Sequence, residues 1–447
     1  MNFTTQVLAS LLITSLLTVV GSGQESSRAS GEPEVTLESR LALAGGNKAQ
    51  LVKAIESAPE NQRAAVEFLV LNMPRNDLRS LSAEFLLEHV RVAFEARSTA
   101  PWAEQISDEL FLNDILPYAN VDETRESWRA ELREICLPIV KDCKTAGEAA
   151  HELNTNLFRE VKVKYSRKRK KANQSPSESI DTGLASCTGL SILLADACRS
   201  VHVPARLTGI PSWTNKRGNH TWVEVWDNAD NDWHFAGAAE ADPAGLDRGW
   251  FVRDASLADK AKRMNSIYSI SFARTDTVFP MVWSRDRENA VYAVNVTDRY
   301  AKPKDAPDAA ADPDKIQVRI RVWNADRTER VATNVLLVDP AADAGANDAN
   351  KLSGTSPSNT ADMNNMLEFA LDRDTQYELH IGDTNPLKVH PFTSGSGDTQ
   401  LIEVRLDVDG EPEQGAKKHD AGKHDAGKHD DGTPKHTNRQ IKGVKDK

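Results

Sequence analysis

The chain has 447 residues, enough for two or three domains of about 100–200 residues each. Hydrophobic residues make up 39% and charged residues 27%, so most of the chain can bury a core while some stretches are too polar to pack. A net charge of −11 gives no electrostatic basis for nucleic-acid binding and excludes it as the expected role. Residues 7–20 form an uncharged, mostly apolar run ending at Gly21, Ser22 and Gly23. The run is shorter than the about 20 apolar residues of a membrane span. It predicts a secretory signal over 1–23, cleaved near Gly23–Gln24, and hence a secreted or periplasmic protein. An N-terminal anchor helix is the alternative, and no later segment is apolar enough to span a membrane. Residues 24–36 read as a polar linker.

From 37 to 158 the pattern is helical. "NQRAAVEFLVLNM" and "LRSLSAEFLLEHVRVAFEA" place apolar residues at i, i+3 and i+4 with charges between. "TAGEAAHELNTNLFREV" starts with Thr145 as N-cap and Glu148 three residues later, a capping box. His89 and His151 lie in these helices as packed or solvated residues. The five basic residues Arg167 to Lys171 read as a solvated loop rather than a nucleic-acid patch, given the acidic chain around them.

A mixed α+β core is expected over 159–300. "GLASCTGLSILLADACRS" predicts a helix opening at Cys187 with Ser186 as its cap. "HVPARLTGI" predicts a strand, and "HTWVEVWD" alternates as a second. His220, Trp222, Glu224 and Trp226 share one face, and Thr221, Val223 and Val225 the other. The turn cluster "NADND" joins this strand to "WHFAGA" as a hairpin. "SIYSISFAR" and "ENAVYAVNV" are further strands. A Pro/Ala/Asp linker over 301–314 marks a domain boundary. Residues 315–410 hold short β-runs, with Ile316, Val318, Ile320 and Val322 on one buried face, and predict an all-β sandwich. His380 and His390 lie there without metal-ligand spacing. The tail over 411–447 repeats Lys-His-Asp-Ala-Gly around His419, His424 and His429. It has almost no apolar residues and predicts disorder, with at most weak affinity for divalent metal.

The four cysteines do not suggest a simple pairing. Cys187 and Cys198 share a helix but stand about 16 Å apart along it at 1.5 Å per residue. A disulfide needs Cα atoms within about 7 Å. Cys136, Cys143 and Cys198 read as buried small hydrophobes. Cys187 differs, because a helix N-terminus and a nearby imidazolium both favour a thiolate nucleophile. It sits at such a terminus, and His220 heads a strand that can aim an imidazole at it. A third group should hold the imidazole. If Trp226 pairs with Trp233, His220 falls opposite Ala239, and a shift of one residue brings Glu240 opposite. Glu240 is the first candidate for the acid and Asp242 the second.

The stretches "GLASCTGLSILLADACRSVHVPARLTG" and "GNHTWVEVWDNADNDWHFAGA" resemble the transglutaminase-like superfamily, rearranged relatives of papain. The shared pattern is a cysteine opening a helix, a Pro-Ala-Arg strand, then His-x-Trp-x-Glu-Val and a Trp-led strand bearing an acid. The resemblance covers roughly residues 160–300. It implies Cys187 as nucleophile and His220 as general base of an amide acyl transfer or hydrolysis, that of a cysteine protease or amidase in the first place and of a cross-linking transglutaminase in the second, with no metal or organic cofactor. Its substrate would be a protein or peptide. Members usually carry the acid four residues after the strand's Trp, where this chain has Gly237. The acid is therefore shifted to Glu240 or Asp242, or is missing. Gln174 is the candidate second oxyanion donor, and Trp213 and Trp222 could line the acyl cleft. The competing reading is an inactive transglutaminase-like scaffold or binding protein of the cell envelope, with alkylation of Cys187 as the discriminator.

Overall fold

A computed structural model describes residues 35–216, 218–284, 289–301, 314–340, 352–382 and 388–406. The expected signal 1–23, all of the expected linker 301–314 but its two end residues, and the expected tail 411–447 lie outside the described residues. The first layer is helical, with Leu37–Leu43, Lys48–Ser57, Glu60–Asn72 and Ala83–Thr99 as its main elements. Their apolar stripes meet in one core through Leu51, Val66, Leu69, Leu86 and Val90, all fully buried. Thr36 and Ser82 cap the first and last of these helices. Trp102, whose indole donates to the His202 carbonyl at 2.8 Å, ties this layer to the next.

The helix Cys187–Ser200 forms the centre of the molecule and is buried from Thr188 to Ser200. It packs against the helices Arg129–Val140 and Ala146–Glu160, and against the strands Ala205–Ile210 and His220–Asp227. The predicted capping box of Thr145 and Glu148 opens the helix Ala146–Glu160. Burial of Leu190, Ile192, Leu193 and Leu194 contributes about 1.5–3 kcal/mol each, which holds the Cys187 end in place.

The core sheet has six strands in the order Asp232–Ala236, His220–Asp227, Ala205–Ile210, Tyr268–Ser271, Tyr292–Asn295 and Thr277–Val278. All its pairings are antiparallel. Trp226 does stand opposite Trp233. The alternation in "HTWVEVWD" does not mark one solvated face, because His220 to Val225 are all buried. Thr221 meets the Cys187 helix through Thr188 at 3.1 Å, and Ser191 donates to its carbonyl. On the other face Glu224 is held by Arg206, Ser269 and Tyr300 at 2.7–2.8 Å. A buried carboxylate with that set of donors is satisfied within the sheet. The basic loop follows expectation: Arg167, Lys168 and Lys170 are exposed.

The C-terminal unit is a sandwich of two sheets. Three strands, Leu367–Asp372, Lys315–Trp323 and Thr399–Arg405, form one. Leu352–Ser356, Thr333–Val338, Gln376–Ile381 and Lys388–Thr393 form the other. Ile316, Val318, Ile320 and Val322 fill the space between them with Val335, Leu379 and Ile381. The unit docks on the core through Arg319, which pairs with Asp254 at 3.6 Å and donates to the Asn215 carbonyl at 3.3 Å. Among the described residues no helix is long and apolar enough to cross a membrane.

Candidate active site

Cys187 is the first residue of its helix. Ser186 Oγ accepts from the Gly189 amide at 3.1 Å and donates to the Ala172 carbonyl, which fixes the turn before the cysteine. Cys187 is half-buried, whereas Cys136, Cys143 and Cys198 are buried. All four thiols are free. Burial pushes the Cys136 thiol up to about 12, so that sulfur stays neutral and inert.

His220 opens its strand opposite Ile210, and the neighbouring position on that partner strand is Gly209. A Cβ on Gly209 would stand 2.8 Å from the His220 carbonyl oxygen, so only glycine permits this approach. Aromatic rings enclose the imidazole: Trp250 and Phe251 at centroid distances of 4.8 and 5.0 Å, Trp222 at 5.8 Å and Trp213 at 6.2 Å. Trp213 and Trp222 are buried packing partners of His220. A small cleft lined by Gly209, Asn219, His220, Phe279 and Trp283 adjoins the histidine.

Asp362, a residue of the sandwich unit, stands beside His220. Its Oδ2 lies 3.7 Å from His220 Nδ1, an ion-pair distance too long for a hydrogen bond. The Cys187 sulfur, one imidazole nitrogen and one Asp362 oxygen all lie within 4.8 Å of one another. Asp362 comes from the loop between the strands Leu352–Ser356 and Leu367–Asp372. That loop is anchored on several sides. Asn364 donates its amide and its Nδ2 to Asp362 Oδ1, at 2.8 and 3.0 Å. The same Nδ2 donates to the Asn219 carbonyl at 3.0 Å, immediately before His220. The Met363 amide donates to Tyr165 Oη at 3.3 Å, and Arg330 donates to the Ala361 and Asn365 carbonyls.

Burial alone would push His220 down. The Asp362 carboxylate and the Cys187 sulfur oppose it and prevail, raising the imidazole to about 10. Burial would raise the Asp362 carboxyl, but the imidazole and the Asn364 donors hold it below the ordinary range. Tyr165 is raised by burial and by its neighbours Asp362 and Cys187.

The predicted acids fare differently. The hairpin register is as expected, but strand pairing stops at Val223 and Ala236, so it cannot carry Glu240 to a position opposite His220. The chain turns instead, with Ala239 at φ 64° and the Glu240 amide bonded to the Gly237 carbonyl at 3.1 Å. The turn folds the Glu240 carboxylate over Gly237, where a Cβ would stand 2.7 Å from Oε2. Glu240 is half-buried, accepts from Trp250 Nε1 at 2.8 Å and is raised by desolvation against the pull of the His220 charge. A carboxylate thus occupies the space over the residue that lacks one. Asp242 is not brought to the site; its Oδ1 accepts the Ala244 amide at 2.8 Å in a local turn. Gln174 is also corrected, since its Nε2 already donates to Glu178, Thr182 and Leu184 and its Oε1 accepts from Lys170. No sequence signal pointed to Asp362, which lies in a polar loop beyond the interdomain linker.

Residues 133–254 match the family model of the transglutaminase-like superfamily. No curated protein sequence matches the chain. Similar solved structures include a candidate cysteine protease from Cytophaga hutchinsonii, 20% identical over 36% of this chain and 57% of that one, with TM-score 0.22. The chain therefore spans little more than half the length of that protein. Red sea bream transglutaminase is 10% identical over 69% of this chain and 59% of its own, with TM-score 0.23. A C-terminal fragment of the pilus adhesin SpaC from Lactobacillus rhamnosus GG is 8% identical over 45% and 88%, with TM-score 0.15. The segment 133–254, which holds both Cys187 and His220, is a domain of the transglutaminase-like superfamily.

Proposed function

We propose that the chain catalyses thiol-dependent acyl transfer from an amide of a protein or peptide, with Cys187 as nucleophile and His220 as general base. The observation that carries this reading is a half-exposed cysteine at a helix start, in one cluster with an imidazole and a carboxylate oxygen. An imidazolium beside a sulfur favours the thiolate. The Cys187 sulfur attacks the amide carbon, and the proton it leaves resides on His220. The Cys187 N–H, at the positive end of the helix, is the donor for the oxyanion. Collapse expels the amine with the proton from His220. Water or a second amine then attacks the acyl-enzyme while His220 takes its proton. Asp362 and Glu240 act through His220 as positioning residues.

The test is iodoacetamide labelling of Cys187 against pH, read by mass spectrometry, in the wild type and His220→Ala. Fast labelling near neutral pH that depends on His220 supports the enzyme. Equal, slow labelling in both proteins rejects it. One observation favours a second reading, an inactive binding protein: the Asp362 loop is anchored over the histidine at full burial. Slow labelling of both proteins is the outcome that reading predicts. The apolar run over 7–20 supports an exported protein, secreted or periplasmic.

A further inference from the structure

We propose that Cys187 Sγ, the His220 imidazole and Asp362 Oδ2 form a three-ligand binding site for a zinc-class divalent cation. The three ligand atoms already lie within 4.8 Å of one another, and the imidazole and the carboxylate stand 3.7 Å apart. Tetrahedral zinc takes sulfur at about 2.3 Å and nitrogen or oxygen at about 2.0–2.2 Å, so the cluster needs to close by only about 1 Å around the ion.

Three further observations point to a ligand. Both imidazole nitrogens of His220 are buried, and neither has a hydrogen-bond partner. Asp362 is oriented from behind: Asn364 engages Oδ1 with two donors and leaves Oδ2 toward the histidine. Carboxylate ligands of metals are held by outer partners in this way. Cys187 is the half-exposed member, so the cluster is approached from solvent at its sulfur. One thiolate, one imidazole and one carboxylate form a donor set that selects zinc, cobalt or copper over calcium and magnesium.

Binding displaces the proton held between the sulfur and the imidazole and releases it to solvent. No oxidant or reductant takes part. The metal site itself does not depend on the acyl-transfer reading. Its consequence does: if that reading holds, the cation in an occupied site withdraws charge from the Cys187 sulfur and occupies the His220 nitrogen needed as base, so it is a reversible inhibitor removed by chelation.

The experiment is titration of the full, reduced chain with cobalt(II). Sulfur ligation produces a thiolate-to-cobalt charge-transfer band in the near ultraviolet, which zinc should bleach. The histidines of the tail contain no sulfur and cannot produce it. The band should vanish in Cys187→Ser, and cobalt affinity should fall by about tenfold or more in His220→Ala and Asp362→Asn. Thermal melts identify any variant that fails to fold, and Asp362→Asn preserves the shape of the side chain. Cobalt bound without the band overturns the inference, as does a band indifferent to Asp362 and His220. Labelling of the metal-free chain is read separately. A cobalt band with an unreactive Cys187 retains the metal site and rejects the enzyme. A reactive Cys187 without a band does the reverse.

Discussion

Replacement of Asp362 by asparagine removes one negative charge and almost no volume. The His220 imidazole lies 3.7 Å from that charge. At an effective dielectric of about 20 the attraction is about 4–5 kcal/mol. That corresponds to a fall of about 3 in the His220 pKa. The imidazole is raised to about 10 in the wild type, so the variant should titrate near neutrality. The sign for stability follows from the direction of the perturbation. A histidine whose pKa is raised on folding stabilises the fold fully below its unfolded value, about 6.5, and loses that contribution as pH rises through its folded value. The wild type should therefore lose stability progressively from about pH 6.5 to about pH 10. In Asp362→Asn the loss should end near pH 7. The difference between the two proteins is largest from neutral pH down to the acid range in which Asp362 takes up its proton, up to about 3–5 kcal/mol, and shrinks toward zero above pH 10 as the imidazole becomes neutral in both. The His220 carbon resonances in a histidine-labelled sample give the pKa, and urea unfolding across the same pH range gives the energy. A His220 titration that moves by less than about 1, or a stability difference independent of pH, would refute the assigned pairing.

Further expectations are direct. Glu240→Gln should change the pH profile of Cys187 labelling, because its carboxylate acts on the His220 charge, whereas Asp242→Asn should leave it as in the wild type. Gly209→Ala should slow labelling without touching substrate, since the new Cβ meets the His220 carbonyl and shifts the histidine; unchanged kinetics would show that the strand absorbs the clash elsewhere. Gly237→Ala displaces the flexible end of Glu240, so it should alter the same pH profile while changing the melting temperature little. Leu193→Ala in the fully buried Cys187 helix should cost about 2–5 kcal/mol in urea unfolding, the range for a core leucine that leaves a cavity.

Much of the site was legible where local physics sets geometry. Ser186 before Cys187 specifies a capped helix start, because its hydroxyl satisfies the free Gly189 amide wherever that helix is placed. The pattern of "HTWVEVWDNADNDWHFA" specifies a hairpin in which Trp226 faces Trp233, because turn length sets register. Burial of both faces of that strand was not legible. Alternation records only which residues share a face, and the second cover comes from Phe251 and Tyr300, distant in the chain.

The sequence by itself determined that a cysteine opens a buried helix and a histidine opens a strand, along with the sandwich strands and their inward valines and isoleucines. Each follows from a capping bond or a side-chain period acting within a few residues. Only the tertiary structure decided which carboxylates reach the imidazole. Glu240 arrives by a turn that Gly237 leaves room for, and Gln174 is consumed by its own loop. Asp362 comes from another domain, fixed by Asn364, Arg319 and Arg330 at the domain contact and within its loop. The docking of two folded units obeys no sequence period, and a charge delivered across that contact leaves no local mark on the chain.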